Sequence, residues 1–380
     1  MLGVEAVGSV ALPSPPGHPS MLQTLKTSHG LLPLPAFLPD ATRGVIRSVD
    51  AGDLEACGIG GVCVNAFHLA CNPGAGAVAA VGGIHKFMGF DGAILCDSGG
   101  FQVYSLLREN PRAGSISRHG LTYRGRAGDK TRRLTPARCI QQQFRMGVDL
   151  AVCLDHCTGA EEPPEAQRQS VENTIAWAEG CRREFDRLSA DGGPKPLLLA
   201  VVQGGPCRDL RRRCAEALAE IGFDGYGFGG WPVDDAGRLV DAVAMTAELI
   251  APDRPKWALG IGKPEHVVAA AAMGYDLFDC VIPTRDARHR RLYAFLPGRD
   301  LALEGPFYEP VYITDDRYVR DGRPIEAGCD CLTCTRYSRS YLHHLFHVRE
   351  TLAQRLATIH NLRFYARLME RLREQRRRHV

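Results

Sequence analysis

Eight short apolar runs recur along the chain, and helical patterns fill most of the gaps between them. The runs are Leu34–Leu38, Gly61–Phe67, Gly92–Asp97, Leu150–Asp155, Leu197–Gln203, Gly225–Gly230, Trp257–Gly262 and Leu277–Pro283. Short apolar segments of this kind, rich in branched residues, read as strands covered on both faces. Helices are expected over Thr135–Met146, where Thr-Pro suits a cap and first turn. Others are expected over Glu165–Leu188, Arg208–Ile221, Asp235–Ile250 and Pro264–Met273. Strand then helix, repeated to eight, predicts an α/β fold of the parallel (β/α)8 TIM-barrel type. A doubly wound open sheet is the alternative, but its glycine-rich phosphate fingerprint is missing after the first strand.

At 380 residues the chain can bury a large core, and 45% hydrophobic with 23% charged residues is ordinary for a globular protein. No apolar run reaches the length of a membrane-spanning helix. Residues 1–20 hold Pro and Gly without a charged segment ahead of an apolar one. They read as a disordered leader rather than a signal peptide, which places the protein in the cytoplasm. Residues 21–300 are assigned to the barrel, and residues 301–380 to a helical C-terminal subdomain packed on it. Fourteen cysteines form no regular disulfide framework, so reduced thiols with one metal site are expected. That site is Cys329-Asp330-Cys331-Leu332-Thr333-Cys334 with His360, although His343, His344 and His347 also lie nearby. Three thiolates and an imidazole fill a tetrahedral zinc and leave no position for water, so one structural zinc per chain is expected.

The ends of the runs carry the chemistry. The second run ends near Asn65. The third ends at Asp97, followed by Ser98-Gly99-Gly100-Phe101-Gln102. Asp155-His156-Cys157, Gln203-Gly204-Gly205 and Gly229-Gly230 close the next three, and Asp279 lies inside the last. In a barrel these ends meet at one mouth. A single Asp in a buried run is more often a satisfied structural group than a catalyst. Several polar residues on one rim describe instead a pocket for a ligand rich in donors and acceptors. Two mouth carboxylates, Asp97 and Asp279, can divide labour as in retaining glycosyl transfer, one attacking the anomeric carbon and one moving protons. Asp155, Gln203 and backbone near Gly230 would read the leaving base, since a carboxylate accepting two N–H groups suits the N1 and 2-amino edge of guanine. Phe101 and Leu259 are placed to sandwich the ring.

Charge points the same way without deciding it, because the net value is only +3. Ser105–Leu134 interrupts the barrel rhythm with Arg108, Arg112, Arg118, Arg124, Arg126, Lys130, Arg132 and Arg133 around Tyr123. It reads either as a solvated hairpin or as a flap gripping a phosphate backbone. Arg285, Arg288, Arg290 and Arg291 follow Asp279, as ion-pair partners or as phosphodiester contacts. Arg371, Arg373, Arg376, Arg377 and Arg378 form the basic end of the helical segment Tyr341–Arg378, which reads as a solvated helix or a nucleic-acid-facing one.

Asp97-Ser98-Gly99-Gly100-Phe101-Gln102, Gln203-Gly204-Gly205, Phe278-Asp279-Cys280-Val281-Ile282-Pro283-Thr284-Arg285 and the Cys329/Cys331/Cys334/His360 set together resemble the tRNA-guanine transglycosylases, also called queuine tRNA-ribosyltransferases. The similarity runs from Leu22 to Arg373. It implies a zinc-containing (β/α)8 barrel, usually a homodimer, that exchanges guanine for a 7-deazaguanine at the wobble position of tRNA through a covalent ribosyl-enzyme. By that resemblance Asp279 is the nucleophile and Asp97 the general acid/base. Asp155, Gln203, Gly229 and Gly230 bind the base beside Cys157, Phe101 stacks on it, and Leu259 stands where a Met is usual. Arg285 and Arg288 would contact tRNA. Trp231-Pro232-Val233-Asp234-Asp235 and His156 depart from the family pattern, so the incoming base stays open between preQ1 and queuine. The alternatives are a paralogue acting on DNA or with another 7-deazaguanine, a non-catalytic partner subunit, and a generic barrel enzyme on a small phosphorylated metabolite.

Overall fold

The computed structural model describes residues 22–124, 130–298 and 303–378. The leader at residues 1–20, Arg126 and the division at residue 300 lie outside the described residues. Eight parallel strands form the central sheet: β1 (Ala36–Pro39), β2 (Gly61–Asn65), β3 (Ala93–Asp97), β4 (Leu150–Val152), β5 (Leu197–Val202), β6 (Gly225–Phe228), β7 (Lys256–Leu259) and β8 (Leu277–Cys280). Their order around the sheet is β1-β8-β7-β6-β5-β4-β3-β2. The ring is joined between β1 and β2 by the parallel bridge Asp40↔Cys63 and the Ala41 N–H to Cys63 carbonyl bond of 2.7 Å. The expected barrel is therefore present.

The α-helices that follow β3 to β8 are α1 (Gly100–Glu109), α2 (Pro136–Met146), α3 (Pro164–Ser189), α4 (Arg208–Ile221), α5 (Asp241–Leu249), α6 (Pro264–Ala272) and α7 (Ile282–Arg288), and short helices precede β3. Thr135 caps α2 as its sequence suggests, its hydroxyl accepting from Arg138 N. Several expected runs are shorter as strands. Gly61–Phe67 stops at Asn65, whose side chain caps a short helix beginning at Ala66. Leu277–Pro283 stops at Cys280, because Pro283 starts α7 within its first turn, where a missing N–H does no harm. The helix expected over Asp235–Ile250 begins only at Asp241.

Side chains alternate across each strand, and the inward parity is plain. Ala36 and Leu38, Cys63, Ala93 and Leu95, Leu150 and Val152, Leu199 and Val201, Trp257, and Leu277 fill one interior cluster. Extending that parity upward by two residues puts Asp40, Asn65, Asp97, Gln203, Leu259 and Asp279 in the uppermost inward layer. The lower end is plugged by a hairpin, Thr24–Thr27 with Gly30–Pro33, whose Leu25 and Leu32 join the same cluster. That plug is clamped at His29. His29 and His85 bond the two oxygens of buried Asp149 at 2.8 and 2.9 Å.

The basic interruption is a three-stranded antiparallel sheet of Gly114–Ser117, Gly120–Tyr123 and Arg132–Leu134. Leu121, Tyr123 and Leu134 dock it on the main core. Arg108 belongs to α1 instead. Arg108, Arg112, Arg118, Arg124, Arg132 and Arg133 are exposed, and none forms an ion pair among the described residues.

After the barrel come an antiparallel pair, Arg291–Phe295 with Tyr308–Tyr312, then α8 (Leu332–Arg336), α9 (Arg339–His347) and the long α10 (Thr351–Arg378). Three of the five α10 arginines have partners within the chain, while Arg377 and Arg378 are exposed and pair with Glu374 of the same helix. Arg371 lies 3.5 Å over the Phe295 ring, Arg373 donates to the Pro35 carbonyl, and Arg376 pairs with Asp276 at 2.8 Å. Pro35 and Asp276 precede β1 and β8, so this end of α10 sits at the bottom of the barrel, away from the mouth. No helix of the described residues is long and apolar enough to cross a membrane.

Candidate active site

The uppermost inward layer brings together most of the polar residues singled out from the sequence. Asp97 ends β3, and its Oδ2 accepts from Asn65 Nδ2 at 2.7 Å. The chain then turns sharply into α1 at Gly99, with φ +83°, where a Cβ would lie 2.4 Å from that of Phe67. Only glycine suits this position. Backbone N–H groups of Gly99 and Ser98 also reach Asp97. Asp155 lies just past β4, with Oδ2 held by Gln203 Nε2 at 2.7 Å and Oδ1 3.5 Å from Ser98 Oγ. Gln203 Oε1 is buried with no hydrogen-bond partner among the described residues. Such an orphaned acceptor is costly unless a ligand satisfies it. Gly229 must be glycine, because a Cβ there would meet Gln203 Nε2 at 2.5 Å.

Asp279 stands on β8. Its Oδ1 accepts from Trp257 Nε1 at 2.8 Å and from Gly260 N at 3.3 Å. Its Oδ2 accepts nothing among the described residues.

The electrostatics follow from crowding and burial. Burial is the main cause lifting Asp97 to about 7, helped by the charges of Asp155 and Asp279 and opposed by the Gly99 and Ser98 N–H groups. Burial lifts Asp279 to about 7 as well, against the Gly260 and Trp257 bonds and with a contribution from Asp40. Asp155 rises to about 6, again through burial, with Gln203 pulling the other way. Two carboxylates near 7 in one pocket can exist as one acid and one base, the state that proton transfer to and from a substrate needs. Burial pushes the Cys157 thiol well up, so it is a neutral wall and not a nucleophile.

Phe101 lies in the first turn of α1 and is 38% exposed, with its ring centroid 5.6 Å from that of Trp231 in an edge contact. A cavity of about 390 Å³ opens beside them, lined by Phe101, Tyr104, Ser105, Arg108, Glu109 and Trp231. Leu259 is half-buried in the upper layer and packs toward Gly227. Gly230 follows β6, and the loop after it turns back through the Val240 N–H to Pro232 carbonyl bond of 3.0 Å. Arg285 is exposed, 3.9 Å from Asp286, and Arg288 is half-buried. His156 turns away from the mouth to bond Asn173 at 3.1 Å beside Trp177, and burial lowers it to about 4. It is a neutral structural residue.

Sequence reasoning missed Arg211, Trp257 and Asp40. Arg211 is 1% exposed and bonds the carbonyls of Gly205 and Gly229 at 2.7 and 3.0 Å, holding the loops after β5 and β6 together. Its signal was available: Arg211 shares spacing i, i+3, i+4, i+7 with Cys214, Ala215 and Leu218, the buried face of α4.

Comparison with known proteins fits this geometry. A family model described as queuine tRNA-ribosyltransferase matches residues 20–378. The chain belongs to the queuine tRNA-ribosyltransferase family. With that family it is a pentosyltransferase. A queuine tRNA-ribosyltransferase of Syntrophobacter fumaroxidans is 39% identical over 354 residues, covering 92% of this chain and 88% of the relative. One from Thermoanaerobacter pseudethanolicus is 36% identical, covering 93% and 89%. One from Blochmanniella pennsylvanica is 37% identical, covering 94% and 92%.

Outside the mouth, Cys329, Cys331, Cys334 and His360 present four donor atoms within 4.8 Å of one another. The three sulfurs lie 3.9, 3.7 and 3.3 Å from His360 Nδ1. A tetrahedral ion with ordinary Zn–S and Zn–N lengths needs about 3.6 Å. His360 Nε2 bonds the Tyr293 carbonyl at 2.7 Å, which leaves the Nδ1 lone pair facing the sulfurs. The residues present therefore fit such an ion. His343 and His347 stack on each other instead. The neighbouring Asn361 donates to the carbonyls of Pro283 and Arg291, so the cluster adjoins the segment that follows Asp279.

Proposed function

We propose that the protein exchanges guanine for a 7-deazaguanine at the wobble position of tRNA through a ribosyl-Asp279 intermediate. The observation that carries this reading is the single inward layer holding Asp97, Asp279 and, beside them, the Asp155–Gln203 pair with its unpartnered Oε1. In the first half-reaction Asp279 Oδ2 bonds to C1′ as the C1′–N9 bond breaks, and the departing base takes the electron pair and the Asp97 proton. In the second half, N9 of the incoming base attacks C1′, its proton passes to Asp97, and the ester to Asp279 breaks. Two displacements retain the anomeric configuration.

Asp155 and Gln203 read the purine edge, Gly229 and Gly230 let the ring approach the backbone, and Phe101 and Leu259 cover its faces. Arg285, Arg288 and the exposed arginines of the inserted sheet bind tRNA phosphates. The Cys3His set holds one structural zinc, which supplies no open coordination position. The resemblance to the family supports a cytoplasmic homodimer. Retention of both carboxylates disfavours a non-catalytic subunit.

The test is incorporation of labelled guanine into tRNA by the purified protein, with guanine, preQ1, preQ0 and queuine in competition. Incorporation that is lost in both Asp97→Asn and Asp279→Asn supports the reading. Absence of exchange with every base and tRNA tried overturns it.

A further inference from the structure

The strands around the mouth divide into two arcs. Asp155, Gln203, Gly229 and Leu259 stand on or just past β4, β5, β6 and β7, and on the reading above they hold the base. Asp279 and Asp97 lie on β8 and β3. Between these two, on the other arc, lie only β1 and β2. A sugar whose C1′ meets Asp279 while its base points toward Gln203 must turn its hydroxyls to that arc.

Two upper-layer side chains face it there. Asn65 is saturated: Nδ2 donates to Asp97 and to Gln102 Oε1 at 2.9 Å, and Oδ1 accepts from His68 N at 3.2 Å. Asp40 is different. Strand parity from Ala36 and Leu38 turns it inward. The parallel bridge to Cys63 keeps it in extended pairing, and Leu38 is in register with Asp279 on the adjoining strand. Its Oδ1 accepts from Thr42 Oγ1. Its Oδ2 has no hydrogen-bond partner and no ion pair among the described residues. Its charge is felt at Asp279, Cys63, His68 and Arg288, groups of both rim and interior.

We propose that Asp40 reads the sugar: its free oxygen accepts a hydrogen bond from the 2′-hydroxyl of the reacting nucleoside, making the protein select ribose over deoxyribose. A 2′-hydroxyl is the group that separates RNA from DNA at a contact. Bonds to the hydroxyl next to the anomeric carbon also strengthen as the transition state forms, so the preference belongs in kcat/KM. The inference rests on the base-exchange reading above, and extends it to the chemical class of the sugar.

The experiment compares two hairpins of the tRNA anticodon arm, identical except that one carries 2′-deoxyguanosine at the reacting position. The full chain, Asp40→Ala and Asp40→Asn are assayed on both across pH 5.5–9. The native protein is expected to favour the ribose hairpin by at least about tenfold. Asp40→Ala is expected to cut that ratio about tenfold, and Asp40→Asn, which keeps an acceptor, to fall between. An unchanged ratio in Asp40→Ala overturns the proposal. So does a variant in which both hairpins slow equally while the acid limb moves, because that marks a purely electrostatic effect on Asp279. Native protein inactive on both hairpins would overturn the base-exchange reading itself, and this inference with it.

Discussion

The indole of Trp257 donates to Oδ1 of Asp279 at 2.8 Å, while Oδ2 of the same carboxylate accepts no hydrogen bond among the described residues. One oxygen is anchored, and in the proposed reaction the other is the one that bonds to C1′. Because the bond favours the ionised form, it opposes the burial that lifts Asp279 to about 7. Trp257→Phe should therefore raise this pKa further. The acid limb of kcat/KM for base exchange is expected to move to higher pH, with activity at pH 7 reduced several-fold. A pH–rate profile whose acid limb does not move would show that the indole does not tune Asp279.

The barrel, its upper-rim residues and the Cys3His set were legible because each rests on a local rule. Strand-and-helix periodicity gives the fold, and run ends give the rim. What stayed hidden depends on contacts between distant segments. Asp40 lies two residues past its expected run, and only the bridge to Cys63 shows that the inward parity continues. Trp257 opens an apolar run, and its partner Asp279 is 22 residues away. The inserted basic segment was legible as an interruption but not as a three-stranded sheet, because its strands are only three or four residues long. Contacts of the same kind were hidden at the basic end of α10. Arg373 and Arg376 find partners near Pro35 and Asp276, more than 95 positions away in sequence.

Raised carboxylates also make a stability prediction. Asp97, Asp155 and Asp279 all titrate above their unfolded values. Between about pH 4 and pH 7 the folded state keeps protons that the unfolded chain releases. Their effect is therefore most favourable to folding at the acid end of that window, and stability is lost as pH rises through it. Asp279→Asn removes one such ionisation and its amide oxygen can still accept from Trp257. It is expected to stabilise the protein at pH 8 by on the order of 1–3 kcal/mol, and by less at pH 5. Denaturant unfolding at the two pH values checks this, and equal effects at both would contradict it.

Removing the metal should act through α10. The donor set ties the loop before α8 to His360, and Asn361 next to it holds the carbonyls of Pro283 and Arg291. Elemental analysis is expected to give about one zinc per chain, and chelation or Cys331→Ala to lower Tm by at least about 5 °C. A metal-free protein with the native Tm would show that the cluster is not a structural metal centre.

The most direct test of the central claim is to trap the intermediate. The native protein is mixed with substrate tRNA, quenched under denaturing conditions and digested for mass spectrometry. The expected result is a ribose-linked RNA fragment on the peptide bearing Asp279, chased off when free guanine is added before the quench and absent from Asp279→Asn. Base exchange that proceeds with no adduct on Asp279, or that survives in Asp279→Asn, would contradict the account.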